Sequence, residues 1–249
     1  MKIGIMGAMP EEIAGLVEAM GARREQVETG RRTYHVGTLF GREAVVVFSR
    51  WGKVAAATTA TELLARHGVG RLIFTGVAGS ASPALRIGDV VVGRTLYQHD
   101  MDGSPLFPRH EIPLLGVTGF DTDVSARQEA VRAAQRFLAS GRGGIPEGIA
   151  AEFGIVAPKV VEGEIASGDK FFADKLELEA LRGRLPSVSC VEMEGAAVAQ
   201  VCHEYGVPLT VIRTISDAAD EGAPIDFARF VRLVASRYSL GILEALLAG

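Results

Sequence analysis

The chain of 249 residues is 48% hydrophobic and 22% charged, an ordinary balance for a soluble globular protein and enough material for a core that needs no metal or disulfide staple. Its formal net charge of −4 comes without a basic stripe, which argues against nucleic acid or an acidic membrane surface as a partner. No run approaches the roughly 20 apolar residues of a membrane span, and the first apolar run is too short for a signal peptide before Glu11 and Glu12 arrive, so the expected compartment is the cytoplasm.

Apolar runs predict strands at 2–7, 43–49, 71–76, 88–92, 159–166, 187–193 and 208–215, and 34–40 can pair with 43–49 as a hairpin across Phe40-Gly41-Arg42. Helical spacing predicts helices at 10–20, 53–67, 123–139, 174–183, 194–205 and 226–247. In the last, Phe227, Phe230, Val231, Val234, Tyr238 and Leu243 mark one buried face. Prolines and glycines break 101–119, which predicts a long ordered loop, and loops of that length in a compact domain are usually functional. Residues 140–157 read as a second irregular region, a surface insertion. Strands and helices alternate with no composition break, which predicts one α/β domain over 1–249. Cys190 and Cys202 lie in apolar stretches and read as reduced core thiols.

Three acidic stations fall at strand ends, where open α/β sheets hold their ligands. At Gly7-Ala8-Met9-Pro10-Glu11-Glu12, Pro10 suits a first helical turn, and two acids there are equally explained by the helix dipole. At Val191-Glu192-Met193-Glu194-Gly195, period-two alternation puts Glu192 and Glu194 on one side and Met193 on the other if the strand persists that far. At Arg213-Thr214-Ile215-Ser216-Asp217, charges at a buried strand end are costly unless used or paired, and the bland explanation is an ion pair between Arg213 and Asp217. Thr75-Gly76-Val77-Ala78-Gly79-Ser80 reads as a turn that exposes backbone amides to a ligand. Ser167-Gly168-Asp169-Lys170-Phe171-Phe172 offers two aromatics, for which core packing is the ordinary explanation. The histidines show no metal-ligand spacing and His99 alone adjoins the long loop; no Cys/His cluster, Walker loop or dinucleotide fingerprint occurs, so no metal and no cofactor is expected.

Taken in order, these five segments resemble the 5′-methylthioadenosine/S-adenosylhomocysteine nucleosidases, with residues 140–157 the main departure in length. The resemblance implies a nucleoside phosphorylase-like fold, a mixed β-sheet flanked by helices, and a homodimer acting on a small adenine nucleoside. Carried over by position, it implies that Glu12 activates the attacking water and that Asp217 protonates N7 of the leaving adenine. Glu194 is then the ribose ligand, with Met193 against the sugar and Glu192 beside it. Phe171 stacks on the base, the Phe172 backbone bonds its edge, and Val77, Ala78 and Gly79 supply the backbone wall. Arg213 and Ser216 orient the water and Asp217, while Met9 and Phe227 line the ribose and its 5′ substituent. Leu106 or Phe107, in the 101–119 loop, is expected to reach the neighbouring copy's site. Many relatives carry serine at Val77 and a small aliphatic residue at Trp51.

These residue types suit the chemistry. Adenine leaves poorly as an anion, so a positioned acid typically gives ~10²–10⁴-fold. A protonated aspartate also donates to N7 while accepting from the 6-amino group, which disfavours 6-oxo purines. Positive charge grows on the ribose as the bond breaks, so carboxylates at Glu12 and Glu194 favour the transition state over the ground state. The close competitor is a phosphorylase of the same superfamily. Those enzymes carry phosphate-binding arginines where this chain has Pro10, Glu11 and Glu12 and again where it has Phe74, which points to hydrolysis. Relatives that cleave aminodeoxyfutalosine use the same adenine machinery, and a non-catalytic nucleoside-binding protein is expected to lack Glu12 or Asp217.

Overall fold

The computed structural model describes residues 1–139, 141–219 and 223–248. Its first half runs β1 (Ile3–Gly7), α1 (Pro10–Ala19), β2 (Glu25–Thr29), β3 (Arg32–Leu39), β4 (Arg42–Phe48), α2 (Lys53–Ala65), β5 (Arg71–Ser80), β6 (Val90–Gln98), β7 (Phe120–Asp121) and α3 (Val124–Ala139). There follow α4 (Glu147–Glu152), β8 (Val160–Ser167), α5 (Lys175–Arg184), β9 (Val188–Glu192), α6 (Gly195–Tyr205), β10 (Leu209–Asp217), α7 (Ala223–Phe230) and α8 (Ser236–Leu247).

The strands form one mixed sheet in the order β10-β6-β8-β9-β5-β1-β4-β3-β2, with β7 paired to β6. A further pairing of β10 with β5 closes β5, β10, β6, β8 and β9 into a ring, from which β1, β4, β3 and β2 continue outward. This is the mixed sheet flanked by helices that the resemblance implies. One apolar layer joins the sheet to α1, α3 and α8 through Leu16, Ala130, Ala134 and Leu243. A second joins it to α2 and α6 through Ala60, Leu63, Val198 and Cys202. Cys190 and Cys202 are both buried and free.

The length of β5 positions the site. Residues Ile3–Met6 of β1 cover it only from Arg71 to Phe74, whereas β10 follows it from Leu72 to Gly79 and β9 meets its end at Gly79 and Ser80. The expected turn at 75–80 is therefore strand. Its glycines are required by close approach: a Cβ at Gly76 would lie 2.6 Å from Glu12 Oε1, and one at Gly79 would lie 2.8 Å from Asp217 Oδ1.

Other elements differ from the sequence reading. The edge strand β2 was not expected, because Glu25-Gln26-Val27-Glu28-Thr29 is largely polar and exposed. The final helical region begins at Ala223, and a π-type turn over Val231–Ala235 separates α7 from α8. Residues 140–157 are not a surface insertion. They carry α4 and bury Ile145, Ala150, Phe153 and Ile155 in the first apolar layer, with the Phe153 ring edge-on to Phe230 at 5.3 Å. Residues 101–119 form the expected loop, tied by an isolated bridge between Ile112 and Val117. Among the described residues no helix is long and apolar enough to cross a membrane.

Because Phe153 lies in the core, Phe153→Ala should cost ~3–5 kcal/mol in denaturant unfolding. A cost under about 1 kcal/mol, the ordinary effect of a surface change, would return this segment to the surface.

Candidate active site

The tips of β1, β5, β9 and β10 meet at one cleft of about 600 Å³, counted to its open mouth, within the range of small-molecule sites. All the residues expected from the sequence line it: Met9, Glu12, Val77, Ala78, Gly79, Phe171, Phe172, Glu192, Met193, Glu194, Arg213, Ser216, Asp217 and Phe227. Segments more than 200 residues apart thus converge because neighbouring strands end together.

Glu12 reaches this cleft from the first turn of α1, where Pro10 starts the helix. Its neighbour Glu11 is exposed while Glu12 is buried, so the dipole explanation holds for Glu11 and is insufficient for Glu12. The Glu12 carboxylate accepts the N–H groups of Ala8 (2.6 Å) and Met9 (3.0 Å) on one oxygen and that of Val77 (3.2 Å) on the other. Burial pushes its pKa up, against the pull of Arg213 and of those three amides. A carboxylate of this kind is fixed in place and ready to take a proton.

Arg213 is wholly buried on β10. Its partner is Glu192 (Nη2 2.8 Å, Nε 3.3 Å), not Asp217. The third guanidinium nitrogen, Nη1, donates to the Phe74 carbonyl at 3.2 Å, and the Arg213 Cζ lies 4.1 Å from the centre of the Phe74 ring. Glu192 also accepts the Gly195 N–H at 2.8 Å, the Glu194 N–H at 3.2 Å and the Ser167 hydroxyl. It therefore caps α6, a placement the helix dipole favours, and it joins β8, β9, β10 and α6.

The strand stops at Glu192, so Glu192 and Glu194 do not share a strand face. Glu194 is the cap residue of α6 and takes the Gly52 N–H at 2.7 Å. Burial, and then the charge of Glu192, push its pKa up to about 8, against the Gly52 amide and Arg213. Asp217 at the end of β10 accepts the Ser216 hydroxyl at 2.6 Å and the Ala219 N–H at 2.8 Å. Glu12 and Asp217 thus stand against Gly76 and Gly79 of one strand, three residues or roughly 10 Å of extended chain apart.

Phe171 and Phe172 divide their work. Phe172 packs in a satellite apolar cluster, with the buried His99 ring edge-on at 5.2 Å behind it. Phe171 faces the cleft, edge-on to Phe227 at 5.8 Å. His99 itself is not a lining residue. Neither Leu106 nor Phe107 lines this chain's own cleft; Leu106 is 84% exposed.

The family model of the phosphorylase superfamily matches residues 2–248. The 5′-methylthioadenosine/S-adenosylhomocysteine nucleosidase of Shewanella baltica (strain OS185) is 37% identical over 233 residues, 93% of this chain and 90% of that one. The chain belongs to this nucleosidase family within the phosphorylase superfamily. The aminodeoxyfutalosine nucleosidase of Helicobacter pylori (strain J99) is 37% identical over 230 residues, 92% of this chain and 91% of that one. Among solved structures, the 5′-methylthioadenosine/S-adenosylhomocysteine nucleosidase of Neisseria meningitidis in complex with methylthio-immucillin-A superposes with a TM-score of 0.86 at 32% identity, covering 99% and 98% of the two chains.

Against that family background, two residues that shape the site had no place in the sequence pattern, Gly76 in the lining and Ser167 behind Glu192. Gly76 looked like a turn glycine and is a clearance for Glu12. Ser167 was only part of a glycine segment; its hydroxyl donates to Glu192 and accepts the Ala196 N–H at 2.7 Å. Their signal was a small residue at a strand end, which many harmless turns share.

Removing one member of a buried pair strands the other charge. Arg213→Met should therefore cost ~3–5 kcal/mol in unfolding experiments, while Glu192→Met/Arg213→Met should recover at least about half of that. An additive double variant would mean that the pair does not act as a unit.

Proposed function

We propose that this chain hydrolyses the N-glycosidic bond of 5′-methylthioadenosine and S-adenosylhomocysteine, releasing adenine and the 5-thioribose product. The observation that carries the proposal is the pair of acids lining one cleft and set apart along β5 at Gly76 and Gly79, Glu12 held by three amides and Asp217 held by Ser216 and Ala219. Glu12 takes a proton from water as it attacks C1′, and Asp217 delivers a proton to N7 of the departing adenine. The electron pair of the C1′–N9 bond leaves with the base, so proton delivery at N7 is what makes adenine a competent leaving group.

Glu194 binds the ribose hydroxyls, Met193 packs against the sugar, Phe171 stacks on adenine and the Phe172 backbone bonds its edge. Val77, Ala78 and Gly79 form the wall between the two acids; the missing serine at 77 leaves its N–H, already bonded to Glu12, as that residue's contribution. Met9 and Phe227 lie at the 5′ side. Water is favoured over phosphate because Glu12 occupies the nucleophile side and Arg213 is committed to Glu192 and Phe74. A phosphate dianion there meets an anion and no free cation among the described lining residues.

The working unit in this reading is a homodimer in the cytoplasm, one domain per chain, with 101–119 contributing to the neighbour's site. Support comes from large apolar side chains left exposed at the start of α2 and in the 101–119 loop: Val54 is 79% exposed, Leu106 84% and Leu114 94%. Lys53 bonds Asp100 at 2.6 Å, so the start of α2 and the start of the loop are neighbours. Exposed apolar side chains on neighbouring segments are what an association surface requires.

The test is adenine release from 5′-methylthioadenosine, S-adenosylhomocysteine, aminodeoxyfutalosine and inosine, with and without phosphate. Release from the adenine nucleosides at a rate indifferent to phosphate is expected; a phosphate-dependent rate overturns the hydrolase reading. Asp217→Asn should lose at least ~10²-fold in kcat with the fold intact, and near-normal turnover would move the acid elsewhere.

Glu12 works as a base only when ionised, and its pKa is raised by burial. Log kcat/KM should therefore fall as pH drops through a midpoint above the ordinary carboxylate range of about 4.3. An activity flat down to pH 4 would remove Glu12 from the base role.

A further inference from the structure

We infer that Trp51 is a specificity-determining wall that favours adenine nucleosides with a planar, apolar 5′ substituent over those with a zwitterionic amino-acid tail. The inference rests on the nucleosidase reading above and ranks substrates within it. Trp51 lines the cleft and yet is 51% exposed, so packing the core does not account for it. Its ring stands edge-on to Phe227 at 6.0 Å, and Phe227 in turn stands edge-on to Phe171. Three aromatic rings therefore run in a row from the base side of the cleft to its mouth.

The turn that carries the indole is pinned on both sides. Arg50 and Gly52 flank it with φ of 74° and 93°, and a non-glycine residue in that region costs energy that the surroundings must offset. Here the surroundings are specific: the Ser49 hydroxyl donates to the Arg50 carbonyl at 2.7 Å, the Gly52 N–H goes to Glu194, and the Lys53 N–H goes to Asp169 Oδ1 at 2.7 Å. The Gly52 bond ties the turn to Glu194, the ribose ligand of the proposed function, and the indole lines the same cleft against Phe227, the residue assigned there to the 5′ side. An aromatic side chain fixed in this way presents a large apolar face at little entropic cost on binding. A flat substituent can stack there over its whole area, whereas an ammonium and a carboxylate give up their hydration for at most a ring face and one indole N–H.

Trp51 is the sole tryptophan among the 249 residues, so tryptophan emission reports this wall alone. The experiment compares 5′-phenylthioadenosine, 5′-methylthioadenosine and S-adenosylhomocysteine in two ways. In steady-state adenine release the wild type should favour the phenylthio compound over S-adenosylhomocysteine by about tenfold in kcat/KM. Trp51→Ala should lower the phenylthio/methylthio ratio by about fivefold, mainly through KM, and Trp51→Phe should restore it to within about twofold. In Asp217→Asn, titration with the phenylthio compound should change the emission and give a lower Kd than S-adenosylhomocysteine. Equal kcat/KM for all three in the wild type, a Trp51→Ala loss shared equally between phenylthio and methylthio, or an unchanged emission overturns the assignment and leaves the hydrolase reading standing. Absence of adenine release from every compound sinks both.

Discussion

Burying Arg213 beneath the cleft is the constraint on which the remaining site geometry rests. A guanidinium with almost no access to water is tolerable only if its charge and its donors are matched. Glu192 supplies the direct match, Phe74 gives a carbonyl and a ring face, and the fields of Glu12 and Glu194 add to the same centre. Three buried carboxylates around one cation cannot all be comfortable as anions. Glu192 holds the contact with the cation, and Glu12 and Glu194 are the ones pushed up by burial. A raised pKa makes the ionised carboxylate a stronger base and hydrogen-bond acceptor, which is what the roles proposed for Glu12 and Glu194 require.

This arrangement also explains why the strands must outrun the sheet. If β5 stopped where β1 leaves it, at Phe74, there would be no Gly76 beside Glu12 and no Gly79 beside Asp217. Extending β5 and β10 together to Gly79 and Asp217 carries the cleft residues past the part of β5 that β1 covers, with the two strands still paired apart from a register shift between Ile215 and Asp217. Side chains on strand ends held by a closed ring keep their positions better than side chains on free loops.

Much of this could be read in the amino-acid sequence because strand-end chemistry leaves local marks. Glu12 follows a strand and a helix-starting proline; Asp217 ends an unbroken apolar strand with Arg213 and Ser216 beside it. The bland alternative of an Arg213–Asp217 ion pair rested on proximity in sequence, whereas the actual partner, Glu192, sits on another strand of the ring. Period-two reasoning placed Glu192 and Glu194 together because the strand end between them has no sequence mark except Gly195. The buried segment around Phe153 was illegible for a different reason: its apolar residues Ile145, Ala150, Phe153 and Ile155 are separated by Gly and Pro and follow neither helical nor strand spacing. Polar β2 failed for the complementary reason, since an edge strand needs partners on one side only.

The same geometry bears on why a phosphorylase scaffold can serve water. Phosphate needs cations that are free to face it, and the arginine nearest the nucleophile side here is already saturated by Glu192, the Phe74 carbonyl and the Phe74 ring. Water needs the opposite, one acceptor that is fixed and incompletely satisfied. Glu12 Oε2 takes two amide donors, but among the described residues Oε1 takes only Val77, and that at 3.2 Å. A carboxylate oxygen has room for a further donor, and in the proposed mechanism that donor at Oε1 is the attacking water. The change of nucleophile within the fold thus follows from where one carboxylate replaces a cation, without any rearrangement of the sheet that carries it.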